Sequence, residues 1–234
     1  MHLVQTALRR AKTYFAFLGK QQSLKGKKAL VTAGPTYEAI DPVRFIGNHS
    51  SGKMGIAIAE ELKNRGAEVT LIAGPVQLQT NGLKRIDVVS AAGMYEACMT
   101  QAYDIAVMAA AVADYTPVTV ASQKIKKEGD ELTLSLKRTN DILAALGKQK
   151  KEGQVLVGFA LETDKEQESA RKKLNEKNAD LIVMNSLRDE GAGFGVDTNK
   201  ATFFFRNGNE RKIELKSKKA LAKDIVDTIT DLLS

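Results

Sequence analysis

The stretch NHSSGKMG, Asn48 to Gly55, sets two serines, two glycines, a histidine and a lysine just ahead of an apolar-periodic segment. Such residues at a helix start can hold an anion on backbone N–H groups, since glycine permits close approach and the helix N-terminus is partly positive. Ser50 and Ser51 equally suit a plain N-cap, and the local sequence leaves both roles open. Neither a Walker A spacing nor a G-x-G-x-x-G is present. Asp114 closes AVMAAAVADY. A carboxylate there can take a ribose, a base amine or a metal, and the alanines leave room for a flat ligand; a turn before Thr116-Pro117 accounts for it too. Lys124, Lys126 and Lys127 in QKIKK read as an anion site or as lysines protecting a sheet edge. Lys173 and Lys177 share a helix face by their spacing, which in so charged a segment also describes a solvated surface.

These residues need a frame. KKALVTAG, AEVTLIAG, RIDVVS, YDIAVMAAAVA, QVLVGFA and ADLIVMN read as strands, interleaved with helical patterns in MGIAIAEELKNRG, AGMYEACMTQ, NDILAALGKQ and DKEQESARKKLNEKN. ATFFF and RKIEL suggest a hairpin about Asn207-Gly208, and KKALAKDIVDTITDLL a closing helix. This alternation predicts a Rossmann-like, doubly wound α/β domain with a mostly parallel sheet. SQKIKKEGDELTLSLKR, alternating with period two on both sides of EGD, predicts an inserted β-hairpin. Ligands of such sheets bind beyond the carboxyl ends of the strands, where the candidate residues fall. About twenty residues separate the first strand from its helix, against the usual ~2–6, so that loop reads as functional. Residues 1–26 read as an N-terminal helix and linker, and 27–234 as the main domain.

Composition narrows the chemistry. Of 234 residues, 43% are hydrophobic and 27% charged, which suits one large α/β domain. The net charge of +7 admits nucleic acid, an anionic membrane surface or anionic small substrates. The lysines are interleaved with acids and no basic-aromatic platform occurs, so no nucleic-acid partner is expected. The single cysteine, Cys98, excludes an intramolecular disulfide framework and a cysteine zinc cluster, and reads as a buried thiol. No apolar run approaches the roughly 20 residues of a membrane span; no membrane partner and a cytoplasmic location are expected.

As an ordered set, TAGPTYEAIDPVRFIGNHSSGKMG, AAAVADY, KIKK, GFALET and ARKKLNEKNADLIVMN resemble phosphopantothenoylcysteine synthetase, the second activity of the bacterial coenzyme A biosynthesis flavoprotein. The likeness runs over roughly residues 25–233. It implies a CTP-dependent phosphopantothenate–cysteine ligase: the carboxylate of 4′-phosphopantothenate attacks the α-phosphorus of CTP, and L-cysteine then displaces CMP to form the amide. It implies Mg2+ with the nucleotide, ligands unassigned, and a homodimer. By motif it assigns Asn48 and Lys124 as catalytic. It gives Ala109, Ala110, Ala111, Asp114, Lys124, Thr139, Asn140, Asp141, Ile142, Phe159, Lys173 and Lys177 to the nucleotide. Asn48, Ser50, Ser51 and Gly52 fall to the acid substrate, with His49 and Lys53 secondary.

Tyr37, Ala39 and Asn140 depart from residues common in that family (arginine, proline and proline), which puts backbone contacts near Asn140 in question. Nothing upstream is long enough for a flavin-dependent decarboxylase domain, so neither flavin nor decarboxylation is expected. The chain is a stand-alone synthetase or the synthetase part of a fusion with such a domain, residues 1–26 pointing to the latter. Two rivals remain: a nicotinamide-dependent oxidoreductase, opposed by the missing glycine fingerprint, and a non-enzymatic nucleic-acid module suggested by charge alone.

Overall fold

The computed structural model describes residues 22–80, 82–127, 129–162, 166–186 and 196–234. In chain order the first half is β1 (Lys28–Ala33), β2 (Tyr37–Ala39), β3 (Phe45–Gly47), α1 (Lys53–Asn64), β4 (Glu68–Ala73), β5 (Lys84–Asp87), α2 (Ala91–Met99) and β6 (Ile105–Met108). The second half is β7 (Tyr115–Pro117), β8 (Leu136–Arg138), α3 (Ile142–Gln149), β9 (Val155–Glu162), α4 (Glu166–Glu176), β10 (Leu181–Ser186), β11 (Thr198–Phe205), β12 (Glu210–Ser217) and α5 (Lys218–Leu232).

Among the described residues, eight strands form the central sheet in the order β12-β11-β10-β9-β6-β1-β4-β5. The six from β10 to β5 are parallel, and β11 and β12 add an antiparallel hairpin at one edge. Successive side chains of a strand point to opposite faces, and both faces are covered. Ala29, Val31 and Ala33 of β1 pack with Ile58 and Leu62 of α1 and Leu221 and Ile225 of α5. Leu30 faces the other way, toward Met94 and Cys98 of α2, Leu146 of α3 and Leu174 of α4. Coverage on both sides is why these strands read as continuous apolar runs. Cys98 is fully buried, and burial pushes its thiol up to about 12; it is the inert core thiol the sequence suggests.

From β1 the chain steps outward to β4 and β5, then returns through β6 to build the other half of the sheet. The order reverses between β1 and β6, and loops leaving their carboxyl ends diverge there, which opens the crevice where doubly wound folds take ligands. Helix α1 ends as expected, with Gly66 at positive φ and the N–H groups of Gly66 and Ala67 donating to the carbonyls of Lys63 and Leu62.

Three expectations need correction. YDIAVMAAAVA is a strand only over Ile105–Met108; the alanines beyond it form the loop at the crevice. The inserted hairpin is real but paired elsewhere: β7 pairs with β8, Tyr115 opposite Arg138 and Pro117 opposite Leu136; only the end of the second alternating arm is a strand, and residues 122–127 and 131–135 beside EGD are not. Their alternation had no covered face to turn toward, since Leu132 and Leu136 are exposed. The long first loop also holds its own hairpin, β2–β3, which the sequence reading left as loop. Most of the expected N-terminal helix and linker lies outside the described residues. Leu24, assigned there to the linker, is buried in the core and donates its N–H to the Arg65 carbonyl at 2.9 Å.

Candidate active site

Two cavities meet at the reversal point. The first, about 510 Å3, lies between the NHSSGKMG loop and the ends of β6 and β9, and its lining includes Asn48, Ser50, Ser51, Gly52, Lys53 and Ala109–Val112. The second, about 720 Å3, lies between the end of β6, the start of α3 and the end of α4, and its lining includes Thr139, Asn140, Asp141, Ile142, Lys173 and Lys177. Ala110, Val112, Asp114 and Phe159 belong to both, so the cavities share a wall.

That wall is fixed by hydrogen bonds from both sides. Ala110 N–H donates to Thr32 Oγ1 at 3.2 Å and Ala113 N–H to Thr36 Oγ1 at 2.9 Å. Ala111 N–H donates to the Gly34 carbonyl at 2.8 Å. From the other side Thr139 Oγ1 donates to the Ala113 carbonyl at 2.7 Å, and Thr139 N–H to the Asp114 carbonyl at 3.0 Å. Small side chains on a backbone so held present a flat surface with little freedom to recoil.

At the first cavity neither serine caps α1. Gly52 is the N-cap, in the left-handed region at φ 73, with no side-chain cap; Ser50 Oγ instead accepts from Gly52 N–H at 3.3 Å. A Cβ at Gly52 would meet Val76 Cγ1 at 3.1 Å and Gly34 N at 3.3 Å, so both conformation and space demand glycine. The anion cradle, the other role left open, retains its geometry: the helix start lines the cavity. Asn48 is exposed, and its Nδ2 donates to the Val112 carbonyl at 3.0 Å, joining the first loop to the shared wall. Asn185, Asn199 and Lys218 complete the lining, and the sequence reading missed all three. Asn199 Nδ2 donates to Asn185 Oδ1 at 3.0 Å. Lys53 pairs with Asp197 at 2.6 Å and holds that carboxyl below its ordinary range.

At the second cavity Lys177 pairs with Asp141 at 2.8 Å, and Asp141 caps α3 by accepting from Ala144 N–H at 2.8 Å. Burial alone would raise the Asp141 carboxyl. The Lys177 bond, the Ala144 N–H and the charges of Lys177 and Lys173 outweigh it and hold the group low. Lys173 and Lys177 are therefore half-buried cavity residues rather than a solvated helix face. Among the described residues no group of three or more His, Cys, Asp or Glu is placed to hold a metal.

Residues 24–233 match the family model described as DNA/pantothenate metabolism flavoprotein C-terminal domain. The chain belongs to that family. Its relatives include the coenzyme A biosynthesis bifunctional protein CoaBC of Bacillus subtilis, 53% identical over 213 residues, 89% of this chain and 52% of that protein. A protein of an unknown prokaryotic organism called cysteine/cysteine sulfinic acid decarboxylase is 51% identical over 217 residues, 91% of this chain and 60% of the other. The chain thus spans about half the length of the curated relatives it matches. The crystal structure of the C-terminal domain of a CoaBC protein superposes with a TM-score of 0.77 at 42% identity, covering 91% of this chain and 98% of that one. This member of the flavoprotein C-terminal domain family therefore shares that Rossmann-like fold.

Within this family member, the positions assigned by motif fall into two groups. Ala109–Ala111, Asp114, Thr139–Ile142, Phe159, Lys173 and Lys177 all line one or both cavities, as do Asn48, Ser50, Ser51 and Gly52. Lys124 lines neither. It is exposed, beside Ile125, whose N–H donates to Asp41 Oδ2 at 3.1 Å and whose carbonyl accepts from Arg44 Nη2 at 2.9 Å.

Proposed function

We propose that the chain is a phosphopantothenate–cysteine ligase using CTP, with the nucleotide in the second cavity and 4′-phosphopantothenate in the first. The observation that carries this reading is the shared wall of Ala110, Val112, Asp114 and Phe159: two anionic ligands, each drawn to its own lysines, would meet across it. The matched part of the CoaBC relatives is the part represented by the C-terminal domain structure. The decarboxylase named among the relatives extends well beyond the matched residues.

In the first step the substrate carboxylate oxygen bonds to the α-phosphorus, and the bond to the β-phosphate bridging oxygen breaks, releasing pyrophosphate. In the second the cysteine nitrogen bonds to the acyl carbon, the acyl–oxygen bond breaks with CMP departing, and the amine loses a proton. Charge gathers on phosphoryl oxygens in the first step, so fixed cations and N–H donors are the useful equipment. Lys173 and Lys177 would hold the nucleotide and the Asn48 amide the acyl group; Lys124, which lines neither cavity, has its role on the phosphoryl charge from the resemblance alone. Holding both reactants on one rigid wall would supply the remaining advantage by orientation.

Mg2+ commonly binds through one or two carboxylates plus substrate phosphates. Asp114, on both cavity walls, suits that pattern as a single carboxylate meeting a metal carried in by the triphosphate. When bound, the ion neutralises phosphoryl charge.

We further propose a homodimer. Val43, Phe45, Tyr115, Val118, Leu132 and Leu136 are exposed on the two small hairpins and the loop between β7 and β8, and β2 packs beside β7. Clustered exposed apolar residues mark contact surfaces.

The test is pyrophosphate release with 4′-phosphopantothenate and CTP or ATP, with and without L-cysteine, alongside titration with NADPH. Release with CTP and amide formation on adding cysteine are expected; tight NADPH binding with no response to CTP would refute the ligase reading.

A further inference from the structure

We propose that Asn178 is a positioning residue for the second cavity, fastening α3 to the end of α4 so that Lys177 and Asp141 keep their places at the nucleotide, an inference that rests on the ligase reading above. Lys177 and Asn178 are consecutive at the end of α4, and each takes hold of a different end of α3. Lys177 pairs with Asp141, the N-cap of α3, at 2.8 Å. Asn178 Nδ2 donates to the Gly147 carbonyl at 2.8 Å, in the last turn of the same helix. That carbonyl has no helical donor, because Lys151 N–H donates to Gln154 Oε1 at 2.8 Å instead. Lys177 lines the cavity, whereas Asn178 stands behind it, outside the lining.

The two side chains reach opposite ends of α3 because the chain turns between them. Asn178 has φ 51 and is the one non-glycine at positive φ among the described residues. Helices often end on such a residue, and glycine serves there as well as asparagine, so the turn alone does not call for a side chain. The amide has two further partners. Arg206, in the turn between β11 and β12, donates to Asn178 Oδ1 and also to the Ala179 carbonyl at 3.2 Å. With its oxygen so engaged, the amide presents its N–H group to Gly147. The turn itself is tied to α4, since Asn178 N–H donates to the Asn175 carbonyl at 3.3 Å and Ala179 N–H to that of Leu174 at 3.1 Å. Asp141 and Gly147 lie about 9 Å apart along the helix axis, at roughly 1.5 Å per residue. Held at Asp141 alone, α3 would be free to pivot about its first turn, which carries Asn140, Ile142 and Leu143 of the cavity lining. Held at both points, its direction is fixed as well as its distance.

The test follows pyrophosphate release by the full chain, as wild type and with Asn178→Gly or Asn178→Asp. Glycine keeps the left-handed turn and aspartate keeps an acceptor for Arg206, but neither donates to Gly147. Both are expected to raise KM for CTP by about 3–10-fold, the order that one neutral hydrogen bond is worth, and to leave KM for 4′-phosphopantothenate as in the wild type. In a Lys177→Met background the further rise caused by Asn178→Gly should shrink to under about twofold, because the residue acts through Lys177. An unchanged KM for CTP in either variant, equal rises in both KM values, or an undiminished effect beside Lys177→Met overturns the proposal. Absence of release by the wild type with either nucleotide would instead refute the ligase reading, and NMR titration of the Asp141 carboxyl then decides Asn178 separately. Burial raises that carboxyl, and the Lys177 bond, the Ala144 N–H and the charges of Lys177 and Lys173 outweigh it. A midpoint higher in Asn178→Gly than in the wild type supports the proposal; an equal or lower one overturns it.

Discussion

Asn48 illustrates how one side chain couples position to chemistry. Its amide N–H group tethers the first loop to the Val112 carbonyl, and an aspartate has no such donor while placing a negative charge opposite a carbonyl oxygen and an incoming carboxylate. Asn48→Asp is expected to slow pyrophosphate release by on the order of 10²–10³-fold, the usual effect of losing one well-placed donor, with the unfolding midpoint little changed. Lys124→Gln should reduce turnover in the same assay without altering the fold, because the side chain is exposed; product formation at the wild-type rate would remove it from the mechanism. Ala109–Ala111 were legible because they directly follow β6, where strand order alone delivers them to the crevice; Phe159, inside β9, and Asp114, beyond the alanines and just before β7, were pointed to by motif. Lys218 was not legible. KKALAK reads as the basic start of a surface helix, and the carbonyl that receives the Lys218 ammonium, Val196, lies 22 residues away in sequence.

Elements place these residues by close contact. A Cβ at Gly147, inside α3, would lie 1.9 Å from the Lys177 carbonyl oxygen, and that carbonyl belongs to the residue pairing with Asp141. Gly147→Ala must push α3 away from the end of α4. We expect a loss of about 1–3 kcal/mol in urea unfolding, typical of overpacking, together with a higher KM for CTP. The hairpin β2–β3 depends on Asp41, whose buried carboxylate accepts from the N–H groups of Val43, Arg44 and Ile125 and from the Arg44 guanidinium. Arg44 above all holds this carboxyl well below its usual range, against the effect of burial. A depressed carboxyl stabilises the fold above its unfolded pKa, near 3.8, and loses that contribution as pH falls further. The stability difference between wild type and Asp41→Asn should therefore be full at pH 7 and shrink below about pH 4, as thermal unfolding across that range would show. Strand and helix positions followed from apolar periodicity, whereas the β7–β8 pairing did not: it is decided by which three-residue segments flank the crevice, not by alternation within the arms.

At the scale of the molecule, the two small hairpins turn apolar side chains outward beside the cavities. If that face joins two copies of the chain, Phe45→Asp, at a ring stacked on Tyr37 with centroids 3.9 Å apart, should shift sedimentation from dimer to monomer at micromolar concentration. A sedimentation coefficient unchanged from wild type would exclude this face from the interface. The doubly wound plan was readable along the chain because apolar strands and amphipathic helices alternate, even though the β1–β4 and β6–β9 crossovers carry long insertions. The exposed face was not, since Val43, Phe45 and Leu132 occur in sequence patterns that buried strands also use.

The common wall between the cavities has a consequence for inhibition. A molecule that joins a nucleotide-like half to an acid-like half through a short linker would engage its second half at the effective concentration set by that linker, in the millimolar range for short tethers. Because Ala110 and Val112 are pinned by Thr32 and Asn48, and Ala113 and Asp114 by Thr139 from the other side, the linker needs no slack to follow a moving boundary. Such a joined ligand should outcompete either half alone by about 10²–10⁴-fold, and a compound whose linker is too short to cross the wall should lose that whole advantage.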